Sequence, residues 1–452
     1  MEEFIQNFLE SDNYRYVKIE NHEIINHIYN LYKYGIDERD TFKMEDSIID
    51  LYYGIYYGIE KDYEQMKKYY HIAIEKGNNT AMYNLGLHYQ NIEKDYEQMK
   101  KYYLMVIEKG NENAMYNLGL YYDNVEKDYW QMKKYYLMSV EKGHCIAMND
   151  LGLYYEKIEK DYEQMKKYYL MSIKKDHVSA MYNLGFYYKE IEKDYKQMKK
   201  YYLMAIEKGH VSAMFSLGLY YNDVEKDYKQ MKKYYYMAIK KGHCTAMNNL
   251  GFYYSEIKQN YKQMMKYYLM AIKKGNDIAM NNLGFYYGNV EKDYEQMKKY
   301  YHMAIEKGHS TAMYNLGFYY ESVEKDYEQM EKYYLMAVEK FHKKTILQLE
   351  QFYKDNNNTL GLLQLYIKID DKTKISDVLI KYCNQKIVDK EINLILLQYL
   401  NCIDDHDLPV FFKLLKQLLN NQIDLLEVHF KYSENGFGYE EAKQDFLKQL
   451  SL

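Results

Sequence analysis

The dipeptide Ala-Met recurs at Ala81, Ala114, Ala147, Ala180, Ala213, Ala246, Ala279 and Ala312, each step being 33 residues. Leu-Gly follows at a constant phase, with glycines at Gly86, Gly119, Gly152, Gly185, Gly218, Gly251, Gly284 and Gly317. A shortened unit precedes them, carrying Gly54 and the stretch KDYEQMKKYY at 61–70, so that nine units lie between about residue 47 and residue 341. A strict period of this length predicts an array in which each unit buries its apolar face against the next.

Within a unit the pattern is that of two helices. Ala81, Leu85 and Tyr89 stand at i, i+4 and i+8, with Met82 and Gly86 in the adjacent row, which predicts a first helix over about 80–91. Asp95 opens the second helix: Asp-Tyr-Glu-Gln matches a capping box in which Asp95 accepts from free amides and Gln98 reaches back. Asn260 keeps that chemistry where Asp is lost. Tyr96, Met99, Tyr103 and Val106 mark its buried stripe, and Gly110 ends it in a left-handed conformation. Asp176 replaces that glycine once, and Phe341 replaces it at the last unit. A mid-helix glycine costs about 1 kcal/mol relative to alanine, so its repetition at the Leu-Gly phase predicts a close approach of two helix backbones there.

Composition agrees with a long helical array. One proline in 452 residues leaves almost nothing to interrupt helices. The chain is 48% hydrophobic and 28% charged, which excludes a disordered polypeptide. No segment reaches the ~18–20 apolar residues that span a bilayer. The acidic start MEEFIQNFLESDNY lacks the positive region of a signal peptide. Cys145, Cys244, Cys383 and Cys402 show neither close pairing nor zinc-type spacing. These features predict an intracellular, cytoplasmic protein.

The motif Ala114, Leu118, Gly119, Tyr122, Val125, Asp128, Tyr135, Tyr136 and Gly143 resembles the Sel1-like repeat of the tetratricopeptide superfamily. Ser139 takes the place of an alanine that other units keep, as at Ala205 and Ala304. The resemblance covers about two-thirds of the chain. Three features depart from it: the Gly-x-Gly before the valine is missing, implying a shorter connection; Met66, Met99, Met132 and Met165 stand where a small residue is usual; and the period of 33 is nearer that of the tetratricopeptide repeat itself. The fold it implies is an all-α solenoid of antiparallel helix pairs. The function it implies is that of a non-enzymatic adaptor holding another protein.

The ends lose the period. Residues 1–46 suggest two amphipathic helices, about 2–10 and 21–34, as an N-terminal helical cap. Residues 342–452 stay helical in pattern, as capping or degenerate repeats, with Pro409 in a first turn after Asp407. Terminal units of this kind close the apolar edges of a repeat array.

Catalytic motifs are missing: there is no phosphate-cradling glycine loop, nucleophile elbow or paired metal motif. No cofactor or metal is expected. Histidine follows the helix-ending position at His144, His177, His210, His243, His309 and His342, while Asn78, Asn111 and Asn276 fill the same phase elsewhere. That exchange fits a polar loop or capping residue better than a metal ladder. Asp404-Asp405-His406-Asp407 fits an acidic lead-in to a helix better than a cation site. The tyrosine pairs, such as Tyr201-Tyr202, read as one buried member and one covering the groove to the next unit, rather than as a platform for bases.

Positions that change between near-identical units are not holding the fold. By analogy with the superfamily, the first helix lines the concave surface, where three columns vary. The first is Tyr83, Tyr116, Asn149, Tyr182, Phe215, Asn248, Asn281 and Tyr314. The second is Gln90, Asp123, Glu156, Lys189, Asn222, Ser255, Gly288 and Glu321. The third is Asn91, Asn124, Lys157, Glu190, Asp223, Glu256, Asn289 and Ser322. The last two vary most, and they are candidate specificity positions or relaxed loop edges. On the second helix, one phase runs Glu64, Glu97, Trp130, Glu163, Lys196, Lys229, Lys262, Glu295 and Glu328. Residues 174–274 hold 19 Lys and 9 Asp or Glu, a net of +10, within a chain whose net charge is −5. This basic middle fits a partner protein with an acidic segment, a nucleic acid, or self-association in a staggered register; the partner protein is the expectation, and a helical-repeat nucleic-acid binder the alternative.

Overall fold

The structure, a computed structural model, describes residues 46–340, 342–369, 371, 374, 375 and 378. The expectations for 2–10, 21–34, Phe341, Cys383, Cys402, Asp404–Asp407 and Pro409 lie outside these residues.

The described chain divides into two compact units at Asp227/Tyr228. The first contains the pairs Asp46–Ile59 with Tyr63–Glu75, Asn79–His88 with Tyr96–Ile107, and Glu112–Tyr121 with Tyr129–Glu141. Cys145–Tyr154 with Tyr162–Ile173, Val178–Tyr187 with Tyr195–Glu207, and the helix Val211–Asp223 follow. The second begins with Tyr228–Lys240 and continues with the pairs Cys244–Glu256 and Tyr261–Lys273, and Asp277–Tyr286 and Tyr294–Glu306. Ser310–Tyr319 with Tyr327–Glu339 and Lys343–Asp355 with Thr359–Lys368 complete it. Each unit is a stretch of all-α solenoid, and no strand occurs among the described residues.

Helix ends obey local chemistry. The Asp95 carboxylate accepts from the Gln98 amide at 3.1 Å, and Asn260 does the same for Gln263. The reciprocal reach of the Gln98 side chain is not formed. Gly110 has φ +84° and Asp176 φ +61°, the left-handed stop predicted at both. The first helix ends earlier than predicted, at His88, because Tyr89–Glu93 widens into a π-helical turn that Lys94 closes at φ 58°.

The core alternates between seams. In the first unit, Ala114, Met115 and Leu118 pack with Met99, Tyr103 and Val106 of the preceding second helix. Both members of most tyrosine pairs are buried, as at Tyr201, 7% exposed, and Tyr202, 0%, while Tyr69 and Tyr300 are half-buried. Tyr102 stacks on Tyr89 of its own first helix, 5.7 Å between centroids, and its hydroxyl meets His71 of the preceding unit. The first member of the pair, Tyr102, thus covers the seam with the preceding repeat, not the next.

The repeated glycine has a different cause from the predicted one. A Cβ built on Gly119 would lie 2.4 Å from Cδ1 of Tyr136. What approaches the first helix most closely is therefore the ring of a tyrosine from the second helix, and at Gly317 the second backbone follows, Met330 O lying 3.3 Å from such a Cβ. The last pair inverts the arrangement: Gly361, on the second helix, receives Tyr353 from the first.

Candidate partner-binding surface

The first column lies in the seams between successive first helices. Tyr83, Asn149, Asn248, Asn281 and Tyr314 are buried, and Tyr116, Tyr182 and Phe215 are half-buried. Where the residue is tyrosine, its ring joins a stack. In the first unit Tyr116 lies between Tyr136, 5.6 Å away, and His144, 4.7 Å away. Tyr182 lies likewise between Tyr202 and His210, and in the second unit Tyr314 lies between Tyr334 and His342.

Where the residue is asparagine, an amide chain replaces the rings. In the second unit Asn315 donates to Asn281, Asn281 to Asn282, Asn282 to Asn248, and Asn248 to Asn249, at 3.0–3.4 Å. In the first unit Asn183 donates to Asn149 and Asn149 to Asp150, which also accepts from the Tyr116 hydroxyl. On sequence alone this column reads as open surface. Its neighbours one repeat away, at i+34, are what periodicity alone did not reveal.

Four of the six histidines at this phase cap first helices, whereas His177 and His342 stand at the same position without a side-chain cap bond. Backbone amides of Ala147, Ala213, Ala246 and Ala312 donate to Nδ1 of His144, His210, His243 and His309 at 3.1–3.2 Å. Asn78, Asn111 and Asn276 accept from Ala81, Ala114 and Ala279 in the same way. The predicted His/Asn exchange is thus one capping role filled by two side chains. Burial pushes the pKa of these four histidines below 6.5. No cluster of three metal-ligating side chains occurs among the described residues.

The second column sits over the buried tyrosines. Tyr103, Tyr169 and Tyr334 donate to Gln90, Glu156 and Glu321 at 2.5–2.7 Å. The other members turn to the third column: Lys189 pairs with Glu190, Asn222 donates to Asp223, and Ser255 donates to Glu256. Burial raises the Asp123 carboxyl, and Gly288 leaves room for Met297. Third-column residues are exposed, except the half-buried Glu190.

Lys196, Lys229 and Lys262 are exposed on second helices. A clamp that the sequence-based reading did not assemble runs beside them. Glu225 accepts from Tyr220 of its own repeat at 2.8 Å and pairs with Lys199 of the preceding second helix at 2.9 Å. Glu192, with Tyr187 and Lys166, and Glu324, with Tyr319 and Lys298, repeat it. Hydrogen bonds to Glu64 and Glu93 push Lys67 up to about 12 in the corresponding place. The repeat at 244–276 breaks the clamp twice: Lys258 stands at the glutamate phase and Met265 at the lysine phase.

Helix pairs with mutually buried seams define a helical-repeat solenoid. The chain belongs to the Sel1 repeat family, whose model matches residues 51–78, 79–111, 113–144, 145–177, 178–210, 211–243, 245–276, 277–309 and 310–340. No curated protein matches the sequence. Among solved structures, a protective antigen of uropathogenic Escherichia coli with an SLR fold is 20% identical, with TM-score 0.50, covering 87% of this chain and 88% of that one. A Sel1 repeat protein from Oxalobacter formigenes is 29% identical, with TM-score 0.39, covering 48% and 94%. An immunity protein from Pseudomonas aeruginosa is 22% identical, with TM-score 0.31, covering 43% and 80%. The first likeness shows the fold.

Proposed function

We propose that this protein is a non-enzymatic adaptor that holds a partner protein on its solenoid surface, through an acidic segment facing the repeats at 174–274. Sel1 repeat proteins are generally protein-interaction scaffolds. The observation that carries the reading is the split between constant and changing positions. The alanine, leucine, glycine and tyrosine phases are buried and nearly invariant, whereas the changing third column and Lys196, Lys229 and Lys262 are exposed. The second column, with Asp123, Glu156, Lys189 and Asn222, borders that surface. The first column serves the seams. No described helix is long and apolar enough to cross a membrane, and we place the adaptor in the cytoplasm.

Crosslinked affinity capture from the native cell tests the reading. Wild-type chain and a variant with the exposed third column replaced by serine are compared. A protein recovered with the wild type and depleted with the variant supports the adaptor. Nucleic acid as the sole crosslinked species would replace it with the nucleic-acid reading.

A further inference from the structure

The second helices of the repeats carry one outward stripe at i, i+4, i+7 and i+11, positions that share a helix face. In four of the nine repeats that stripe alternates in charge, and in three more it keeps one acid. It reads Glu97, Lys101, Leu104, Glu108 in one repeat and Glu328, Lys332, Leu335, Glu339 in another. Two consecutive second helices depart together. Tyr228–Lys240 presents Lys229, Lys233, Tyr236 and Lys240, and Tyr261–Lys273 presents Lys262, Lys266, Leu269 and Lys273. All eight residues are exposed. The two helices are neighbours, the Tyr236 ring lying 6.3 Å from that of Tyr267.

The charge is concentrated more sharply than the window 174–274 implied. Residues 228–274 hold 10 Lys and one acid, Glu256, a net of +9; residues 174–227 hold 9 Lys and 8 Asp or Glu, a net of +1. Elsewhere lysines of the second helix are spent on the clamp. Here Lys258 stands where the clamp glutamate would be, and apart from Lys229 none of these ten lysines forms an ion pair among the described residues. Like charges this close on adjacent helices repel, and among the described residues Glu256 is the single acid between 228 and 274.

Apolar groups interleave the lysines: Tyr236 is 36% exposed, Leu269 42% and Ile257 52%. A phosphate backbone offers nothing to cover them. The patch also contains no arginine, the side chain best suited to bidentate phosphate contacts. Resting on the adaptor reading, we propose that the paired stripes Lys229–Lys233–Tyr236–Lys240 and Lys262–Lys266–Leu269–Lys273 dock an acidic protein segment that carries apolar side chains. The segment's carboxylates lie along the lysines and its apolar side chains on Tyr236 and Leu269.

The test uses the full chain and a variant that restores the sister-repeat pattern, Lys229→Glu, Lys240→Glu, Lys262→Glu and Lys273→Glu, whose stripe the other repeats already fold with. Binding is measured by fluorescence anisotropy with three probes: a random Glu/Tyr copolymer, poly-glutamate, and a single-stranded oligonucleotide of matched charge. The expected order is copolymer tightest, with affinity roughly tenfold or more weaker in the variant. Equal copolymer binding by both proteins overturns the docking face, as does an oligonucleotide that binds tighter than the copolymer. Native-cell capture with the same variant separates the two readings. A partner retained by the variant leaves the adaptor standing and removes this face from it, whereas no protein partner for the wild type removes the adaptor itself.

Discussion

The ring of Tyr136 lies against Gly119, so close that a Cβ on the glycine would sit 2.4 Å from Cδ1 of the ring. Tyr136 is 1% exposed and has no room to retreat. Gly119→Ala gains about 1 kcal/mol of helix propensity but forces a buried ring to move, at about 1–3 kcal/mol. Gly119→Leu costs more. Urea melts should rank wild type above Gly119→Ala above Gly119→Leu. An alanine variant more stable than wild type would mean that the ring moves freely.

The amide chain predicts an asymmetry at Asn281. Alanine removes the acceptor of Asn315 and the donor to Asn282, leaving half-buried amides short of partners, at about 1–3 kcal/mol. Tyrosine is the residue at this phase in sister repeats, and the Tyr83 hydroxyl accepts from Asn117 at 3.0 Å. Asn281→Tyr should therefore melt closer to wild type than Asn281→Ala. The reverse order would show that the chain does not support the seam.

Four histidine caps make stability depend on pH. His144, His210, His243 and His309 must be neutral at Nδ1 to accept an amide, and burial holds their pKa below 6.5. The unfolded chain, with ordinary histidines, binds protons that the folded chain refuses. Their contribution is complete above about pH 6.5 and falls as pH drops through the window below it. Each cap contributes about 1 kcal/mol. Changing all four to asparagine, the residue of the sister caps, should flatten the fall in Tm between pH 7.5 and 5. An unchanged slope would assign the acid sensitivity to other groups.

The broken clamp predicts a stabilising pair of changes. Lys258→Glu faces Lys232, and Met265→Lys faces Glu291, at the phases where Glu324 meets Lys298 at 2.7 Å. Each restored pair is half-exposed and contributes about 0.2–1 kcal/mol. Tm should rise for the double variant at low salt and return toward wild type in 1 M NaCl. A rise indifferent to salt would point to packing instead.

The repeat, the helix pairs, the caps and the left-handed stops were legible because each rests on residues close in sequence. Asp95 and Gln98 are three residues apart, and Gly110 closes its own helix. What was not legible depends on the neighbour. Gly119 and Tyr136 meet from separate helices, and Asn315 reaches Asn281 across a whole repeat. The same distance hid the first column, since Tyr83 and Asn281 look exposed on an isolated helix and are buried once the next repeat stacks. The lysine stripes were in the sequence throughout, but a window of 174–274 averaged them with a nearly neutral stretch.

Hydrogen–deuterium exchange of the full chain, with and without the Glu/Tyr copolymer, tests most directly whether constant positions hold the scaffold while charge changes on second helices do the binding. Added protection should concentrate in 228–240 and 261–273, with the buried first column unchanged. Protection centred on the first helices, or spread evenly over every repeat, would contradict it.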